Sequence, residues 1–279
     1  MDKIINDFIK KSLIEDLGNG DSTSIACINK EATGKAQLTA KESCKIAGIN
    51  IAKKIFYSYD KNLVFNPLKK DGDTIEKNEI IFIISGNQRS ILATERLVLN
   101  CMQRMSGIAT KTQKYVYAVK DLNTQILDTR KTCPSIRFLD KMAVKIGGAK
   151  NHRCGLYDMI MIKDNHVDFS GGIQNAIKNC HKYLKKKKKK MQIIVEVRSL
   201  KELQQVIKIG GVDRILLDNF NINQTKKAVD IVNQKYPLES SGNIQLKNVR
   251  EYAVCGVDYI SIGGLTHSIK SIDLSMKSI

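Results

Sequence analysis

Short apolar runs recur after residue 120, and each run ends in a polar residue or a glycine before a helical stretch begins. This alternation is typical of repeated strand and helix units around a parallel sheet. A doubly wound open sheet alternates in the same way, but it concentrates its chemistry at one switch point. Polar residues follow six strands here, which favours a β/α barrel with its site at the strand ends. The strand-end residues are Asp128, Lys163, Glu196, Asp218, Glu239 with Ser241, and Gly263.

The first part of the chain follows a different pattern. Helical spacing of apolar residues at 4–16 and 49–59, with strand-like runs around the second, predicts an α/β module with an antiparallel or mixed sheet. Residues 89–119 form the longest helical pattern, and we expect Ser106–Gly107 to break or kink it. We predict an N-terminal domain over residues 1–106, which includes the linking helix, and a barrel over residues 107–279. The last residues are free to pack back on the first domain.

The segment 128–166 is unusually rich in cations between short apolar runs and glycines. The chain has 46 Lys and Arg residues, but only nine are Arg, so Arg persists where its planar fork is needed. We therefore expect a cationic pocket shaped for a small polyanion, although single Arg residues that pair with buried carboxylates remain an alternative. The cations of this segment are Arg130, Lys131, Arg137, His152, Arg153, Lys163 and His166.

The formal net charge of +18 invites a nucleic-acid-binding interpretation. The Lys residues are scattered, however, and aromatic residues make up 6% of the chain with no Trp, which disfavours base stacking. The run Lys185–Lys190 predicts a solvated helix end or loop. Seven dispersed cysteines without a CxxC pair indicate reduced thiols, and no signal-peptide core precedes them, so we expect a cytoplasmic protein.

Two late loops have the small residues that a phosphate site needs. Ser241-Gly242-Asn243 is expected to open the next helix, and Gly263–Gly264 precedes a further short helix. Backbone N–H groups at such helix starts can hold a phosphate, and late loops supply this site in many barrels. Gly263–Gly264 acting only as a turn is the alternative.

Eight motifs along nearly the whole chain point to one family. They lie at 15–21, 95–110, 128–134, 147–153, 163–166, 217–219, 241–242 and 265–268. In these motifs the sequence resembles the quinolinate phosphoribosyltransferases, a type II phosphoribosyltransferase family of NAD synthesis. The resemblance implies an N-terminal α/β sandwich and an incomplete β/α barrel of about seven strands. It also implies a homodimer with shared active sites, in which the sandwich of one subunit covers the barrel mouth of the other, and it leaves higher oligomers open.

The resemblance implies a reaction of quinolinate with phosphoribosyl pyrophosphate that gives nicotinate mononucleotide, pyrophosphate and CO2, with Mg²⁺. Lys131, Glu196 and Asp218 are the implied catalytic residues, and the two carboxylates also meet the metal through the phosphoribosyl pyrophosphate. The implied quinolinate ligands are Arg96 from the second subunit, Arg130, Lys131, His152, Arg153 and Lys163. The implied phosphoribosyl pyrophosphate ligands are Lys131, Glu196, Asp218, Ser241, Gly242, Asn243, Gly263, Gly264 and His267.

Three residues depart from the family pattern. Ser135 and Ala149 stand where the family usually has glycine, and Ile194 occupies the first carboxylate position of its usual EVE run. Two other functions remain as alternatives at this stage. Lys163 at a strand end is where a Schiff-base aldolase would place its lysine, and the net charge motivates a non-enzymatic nucleic-acid-binding protein.

Overall fold

The computed structural model of the protein describes residues 2–279. By contacts the chain divides into two units, and this division differs from the predicted boundary between residues 106 and 107. The C-terminal segment belongs to unit 1 because its last strand joins the N-terminal sheet. Unit 1 comprises the residues through Gln113, Thr132–Gly148 and Thr266–Ile279, and unit 2 comprises Lys114–Lys131 and Ala149–Leu265.

Unit 1 contains a four-stranded antiparallel sheet in the order β12-β1-β5-β3 and a two-stranded sheet of β2 and β4. Alternation in β1 buries Ala36, Leu38 and Ala40, as expected for a strand with one covered face. The rings of Phe65 and Phe82 pack in the core with centroids 4.7 Å apart. The strands are β1 (Thr33–Ala40), β2 (Cys44–Lys45), β3 (Val64–Pro67), β4 (Thr74–Ile75), β5 (Ile80–Asn87) and β12 (Leu274–Ser278).

The helices predicted over residues 4–16, 49–59 and 89–119 are confirmed, and two short helices that were not predicted accompany them. The first, α1, buries Ile5, Ile9 and Leu13 on one face. Asp21 caps α2 by accepting the N–H of Ser24 at 3.0 Å. The helices are α1 (Asp2–Leu17), α2 (Ser22–Cys27), α3 (Ile49–Tyr59), α4 (Gln88–Ala118), which continues into unit 2, and α5 (Arg137–Ile146).

The predicted break of the long helix at Ser106–Gly107 is wrong, because α4 is continuous over 31 residues. The small pair serves close packing instead. The Ser106 hydroxyl accepts the N–H of Ala47 at 3.0 Å and donates to the Ala47 carbonyl at 3.2 Å. A Cβ at Gly107 would collide with the backbone carbonyl of Lys270, so glycine allows this chain segment to pass directly against the helix.

A buried ion pair fastens α4 to α5 within unit 1. The guanidinium of Arg104 donates from Nε and Nη2 to the two carboxylate oxygens of Asp140, both at 2.8 Å. Asp140 is fully buried and also accepts the N–H of Cys133 at 3.1 Å. Arg104 donates in addition to the Thr266 carbonyl at 3.1 Å. One bidentate pair therefore joins the three chain segments that make up unit 1.

Unit 2 contains a six-stranded parallel sheet in the order β6-β11-β10-β9-β8-β7, which confirms the six predicted strands. An isolated parallel bridge between Leu127 and Lys150 adds a one-residue seventh strand beside β6. The sheet is open between this bridge and β7, as in the incomplete barrel that the family resemblance implies. The strands are β6 (Gln125–Leu127), β7 (Ile160–Ile162), β8 (Ile193–Val197), β9 (Arg214–Asp218), β10 (Leu238–Ser241) and β11 (Tyr259–Ser261).

Helices alternate with these strands, as the sequence pattern indicated. Ser199 caps α8 by accepting the N–H of Glu202 at 3.2 Å, and α9 begins with a capping box formed by Asn221 and Gln224. The exposed run Lys185–Lys190 covers the end of α7 and the loop after it. The helices are α6 (Asp164–Phe169), α7 (Ile173–Lys187), α8 (Leu200–Ile209), α9 (Ile222–Val232), α10 (Val249–Val254) and α11 (Gly264–His267), the last of which ends in unit 1.

Within residues 2–279, every helix is too short or too polar to cross a lipid bilayer.

Candidate active site

The strand register gathers polar side chains on one face of the unit 2 sheet. Glu196 and Glu239 both lie opposite Leu216, and Ser241 lies opposite Asp218. Because side chains alternate between the two faces of a strand, these positions fall on the same face. The carboxyl ends of parallel strands also share one edge of the sheet. Three neighbouring strands therefore present carboxylates and a hydroxyl to a common region, as predicted.

Lys163 and Glu196 form an ion pair at this edge. Lys163 directly follows β7, and its Nζ atom lies 2.6 Å from Oε2 of Glu196. The Lys163 side chain is 43% exposed, whereas that of Glu196 is 9% exposed. The backbone N–H of Lys163 donates to Nδ1 of His166 at 3.0 Å, which fixes the start of α6. An ammonium group with an open side and a buried partner can meet an incoming anion.

Arg153 provides a second cation, and it is largely buried. Its Nη1 atom donates to the carbonyl of Met159 at 3.3 Å. Burial lowers the pKa of the Arg153 guanidinium, and the positive charge of Arg130 lowers it further, against the opposing charges of Asp158 and Glu196. Two guanidinium groups therefore influence each other in a partly buried place. Such an arrangement favours an anion between or beside them.

His152 lies behind Arg153 and is also buried. Its Nδ1 atom accepts the backbone N–H of Arg153 at 2.7 Å. Its Nε2 atom lies 3.3 Å from Oε1 of Glu239, although this contact is less well aligned than a regular hydrogen bond. The His152 backbone N–H donates to Oδ1 of Asp128 at 2.7 Å. Protein groups therefore hold both ring nitrogens.

Glu239 is fully buried beneath this residue. Nη1 of Arg214 donates to its Oε2 atom at 2.9 Å, and the Arg214 guanidinium carbon lies 3.9 Å from the Tyr259 ring centroid. Burial raises the pKa of Glu239, but hydrogen bonds from His152, Ser261 and Arg214 outweigh burial, so the pKa is lowered. The carboxylate is therefore charged in the interior. The sequence predicts Glu239 only as a strand-end residue, and it does not predict a role for Arg214.

The loop after β10 has the geometry of a close approach. Gly242 has a φ of +96°, and a Cβ there would collide with the side chain of Asn219. The amide of Asn243 donates to Oδ1 of Asn219 at 3.1 Å, and the Asn219 N–H donates to the Ser241 carbonyl at 2.8 Å. The ends of β9 and β10 are thus joined, and glycine is required at position 242.

The prediction that Ser241-Gly242-Asn243 opens the next helix is wrong, because α10 begins only at Val249. Gly242 and Asn243 both have positive φ angles, +96° and +52°, which a right-handed helix cannot contain. The predicted short helix after Gly263 is present, and it begins at Gly264.

The remaining predicted site residues lie on exposed or partly exposed positions. In unit 2, Lys131 is exposed and its backbone N–H donates to Oγ1 of Thr129 at 3.1 Å. In unit 1, Arg96 is exposed on α4, and the exposed His267 pairs through Nδ1 with the Ser268 hydroxyl at 2.6 Å. Of the predicted site residues, the structure brings together those of unit 2 that lie at the ends of β7, β8, β9 and β10.

The three departures from the family pattern have different environments. Ser135 has a φ of +65°, a region that glycine adopts without strain, which explains why glycine is usual there. Ala149 is buried. Ile194 is fully buried and lies opposite Arg214 in the register of β8 and β9. Because isoleucine carries no charge, it cannot pair with Arg214, and the counter-ion of Arg214 is Glu239.

The sequence matches two domain families. Residues 21–106 match the N-terminal domain of quinolinate phosphoribosyl transferase, and residues 108–277 match its C-terminal domain. A chloroplastic nicotinate-nucleotide pyrophosphorylase (carboxylating) from Arabidopsis thaliana is 42% identical over 284 residues, which cover 96% of this chain and 81% of that protein. A probable nicotinate-nucleotide pyrophosphorylase from Bacillus subtilis is 39% identical over 98% of this chain and 92% of its own length.

Solved structures agree with these sequence matches. NadC from Streptococcus pyogenes superposes with a TM-score of 0.93 at 36% identity, over 99% of this chain and 97% of that one. The nicotinate-nucleotide pyrophosphorylase from Francisella tularensis has the same TM-score at 37% identity, over 100% and 97% of the two chains. The aldolase and nucleic-acid-binding alternatives have no such support. The chain belongs to the quinolinate phosphoribosyltransferase family.

Proposed function

We propose that the strand-end site of unit 2 joins quinolinate to phosphoribosyl pyrophosphate and releases pyrophosphate and CO2, which leaves nicotinate mononucleotide. The observation that carries the proposal is the cationic cluster of Arg130, Arg153 and Lys163 beside two strand-end carboxylates. Quinolinate is a small dianion with adjacent carboxylates. Guanidinium forks bind carboxylates in a bidentate manner, so the cluster suits both its charge and its shape.

The quinolinate ligands in this proposal are Arg130, Arg153 and Lys163. Lys131 is proposed to lie between quinolinate and phosphoribosyl pyrophosphate. His152 lies directly behind Arg153 and accepts its backbone N–H. Arg153 is buried and donates to the carbonyl of Met159, so its orientation is constrained before the substrate arrives. A preoriented guanidinium lowers the entropic cost of placing the pyridine nitrogen next to the sugar.

Phosphoribosyl pyrophosphate is proposed to lie over the ends of β8, β9, β10 and β11. Displacement of pyrophosphate leaves positive charge on the ribose, and the carboxylates of Glu196 and Asp218 can stabilise that charge. The backbone of the late loops suits the 5′-phosphate, because small residues allow its oxygens to approach N–H groups. The proposed phosphate ligands in unit 2 are Ser241, Gly242, Asn243, Gly263 and Gly264.

The carboxylates also suit a Mg²⁺ ion. Glu196 and Asp218 project from the same face of neighbouring strands, and Mg²⁺ is typically bound by one or two carboxylates together with substrate phosphates. Among residues 2–279 there is no cluster of three or more His, Cys, Asp and Glu side chains that could hold a metal. When bound, Mg²⁺ would neutralise the leaving pyrophosphate oxygens.

The ion pair of Lys163 and Glu196 is expected to exchange partners during binding. In the structure the Lys163 ammonium and the Glu196 carboxylate neutralise each other at 2.6 Å. A quinolinate carboxylate can take the ammonium, and the ribose hydroxyls or the metal can take the carboxylate. Lys163 in this role is a charged ligand, which differs from the free amine that a Schiff-base lysine needs.

The chemistry after ribosylation requires little from the protein. The ribosylated pyridine nitrogen carries a positive charge and stabilises the carbanion that remains when the neighbouring carboxylate leaves as CO2. The ring nitrogen is itself the nucleophile, so we assign no general base. The protein supplies position and electrostatic stabilisation.

The direct test is an assay of the purified protein with quinolinate, phosphoribosyl pyrophosphate and Mg²⁺. The proposal predicts nicotinate mononucleotide and one CO2 for each pyrophosphate released, and a dependence on Mg²⁺. Absence of turnover with quinolinate under these conditions would contradict it. The cytoplasmic location expected from the sequence stays a prediction, which cell fractionation would check.

The homodimer with shared active sites is part of the same proposal, and Arg96 supports it. This residue is exposed on α4 in unit 1. The family resemblance implies that its side chain enters the active site of the partner subunit. Mixing the inactive variants Arg96→Ala and Lys163→Ala should restore activity, because one site of each mixed dimer has both residues intact. Activity that stays at the level of the separate variants would show that Arg96 acts within its own chain or not at all.

A further inference from the structure

The buried ring of His152 has no nitrogen turned toward an open space for substrate. Nδ1 faces the backbone N–H of Arg153 at 2.7 Å, and Nε2 faces the Glu239 carboxylate at 3.3 Å. The side chain is 5% exposed. Either nitrogen would have to leave its protein contact before it could bind a ligand.

The contacts define the tautomer of this ring. A neutral imidazole has one donor and one acceptor nitrogen, and their identity follows from the groups around them. Nδ1 faces an N–H donor, so it is the acceptor, and the proton lies on Nε2. The carboxylate of Glu239 lies 3.3 Å from that nitrogen. His152 therefore connects a buried anion to the backbone of the residue that carries the guanidinium of the site.

Glu239 is itself fixed from the far side. It accepts Nη1 of Arg214 at 2.9 Å, and the Arg214 guanidinium stacks on Tyr259 at 3.9 Å. The chain of contacts runs from the sheet interior through Glu239 and His152 to the Arg153 backbone.

We propose that His152 is a positioning residue, which Glu239 and Arg214 hold in one tautomer so that its Nδ1 atom fixes the backbone of Arg153 for the substrate carboxylate. This inference rests on the proposed function, and it removes His152 from the groups that touch quinolinate. A displacement of about 1 Å at a ligand-binding group can cost on the order of 100-fold in rate. The buried contact that holds the Arg153 backbone is therefore expected to affect the rate of the reaction.

Two variants at one position separate positioning from contact. In His152→Asn, the side-chain oxygen lies where Nδ1 was and still accepts the Arg153 N–H, whereas His152→Gln places its amide near the position of Nε2. Positioning predicts that kcat/KM for quinolinate falls about threefold in the Asn variant and about thirtyfold in the Gln variant. The KM for phosphoribosyl pyrophosphate should not change. A direct contact through Nε2 predicts the reverse order, which would overturn the inference.

A double-mutant cycle tests the role of Glu239. Glu239→Gln keeps the size of the side chain but presents an amide to Nε2–H, so we expect about a fivefold rise in the KM for quinolinate. In the His152→Asn background the same change should raise it less than about twofold, because the asparagine side chain has no atom at the Nε2 position that contacts Glu239. If the effects of the two substitutions on the KM for quinolinate simply multiply, the proposed link from Glu239 through His152 is overturned.

The surface variant Arg250→Gln serves as the kinetic control and should match the wild type in kcat/KM for quinolinate, while thermal unfolding shows which variants are folded. If Glu239→Gln does not fold, the two His152 variants still decide the question. A wild-type protein without turnover contradicts the proposed function itself, whereas active wild type with the reversed order of variants contradicts only the positioning role.

Discussion

The two units each contain a fully buried carboxylate paired with an arginine, and the pairs differ in how completely they are satisfied. Asp140 in unit 1 has both oxygens aligned with Arg104 at 2.8 Å. Glu239 in unit 2 has one oxygen aligned with Arg214, and the other faces His152 at 3.3 Å with poorer alignment. The first pair joins segments of the fold, whereas the second leads to the candidate site. A buried pair that is not fully hydrogen-bonded can therefore adjust the position of the residues that it contacts.

The largest effect should come from breaking the satisfied pair. In Asp140→Ala, the Arg104 guanidinium keeps its charge but loses its partner, which costs about 3 kcal/mol of unfolding free energy for a buried pair. Urea unfolding measures this loss. Asp121→Ala, which removes one partner of the exposed pair with Arg250, is the matched control and should leave the midpoint nearly unchanged. Equal midpoints for both variants would show that the Asp140 pair is not structural.

The second effect concerns catalysis and not stability. Arg153→Ala should lower kcat/KM for quinolinate about 100-fold, because a guanidinium to carboxylate contact of the transition state is lost. Its unfolding midpoint should stay close to that of the wild type. Steady-state kinetics with quinolinate as the varied substrate measure the change. If kcat/KM is unchanged, Arg153 does not belong to the pocket.

A smaller stability effect is expected at the helix contact of unit 1. Gly107→Ala forces a methyl group against the Lys270 carbonyl, so we expect a loss of about 1–3 kcal/mol from overpacking. Asn100→Ala, at an exposed position of the same helix, is the control and should be neutral or slightly stabilising. A stable Gly107→Ala variant would show that the segment 270–271 can move away without cost.

The smallest effect belongs to an exposed pair. The Arg250 guanidinium hydrogen-bonds Asp121 and lowers the pKa of that carboxyl to about 2. A folded-state pKa below the unfolded value stabilises the fold above the unfolded pKa, and this contribution is lost as the pH falls toward 2. Arg250→Gln should therefore reduce stability slightly at neutral pH, and the difference should vanish near pH 2. A difference that grows with acid would contradict this assignment.

The strands of unit 2 and the polar residues at their ends could be predicted from the sequence, because buried parallel strands are short apolar runs and the chemistry follows them. The pairing of Arg214 with Glu239 could not. Arg214 begins a strand and looks like a surface residue, and no periodicity shows that its long side chain turns inward to Tyr259.

Local backbone geometry accounts for the two errors in helix prediction. Gly107 resembles a helix breaker, yet it serves a close approach within a continuous helix. Ser241-Gly242-Asn243 resembles a helix start, yet Asn243 adopts a positive φ that its residue type allows but does not require. In both places a tertiary contact decides between conformations that the local sequence permits.

A crystal structure of the protein with bound quinolinate tests the central claim most directly. The account predicts both carboxylates within hydrogen-bond distance, about 3 Å, of the guanidinium groups of Arg130 and Arg153 and of the Lys163 ammonium. It also predicts that His152 keeps its contacts with Arg153 and Glu239. Quinolinate bound away from these cations, or held by a ring nitrogen of His152, would contradict the account.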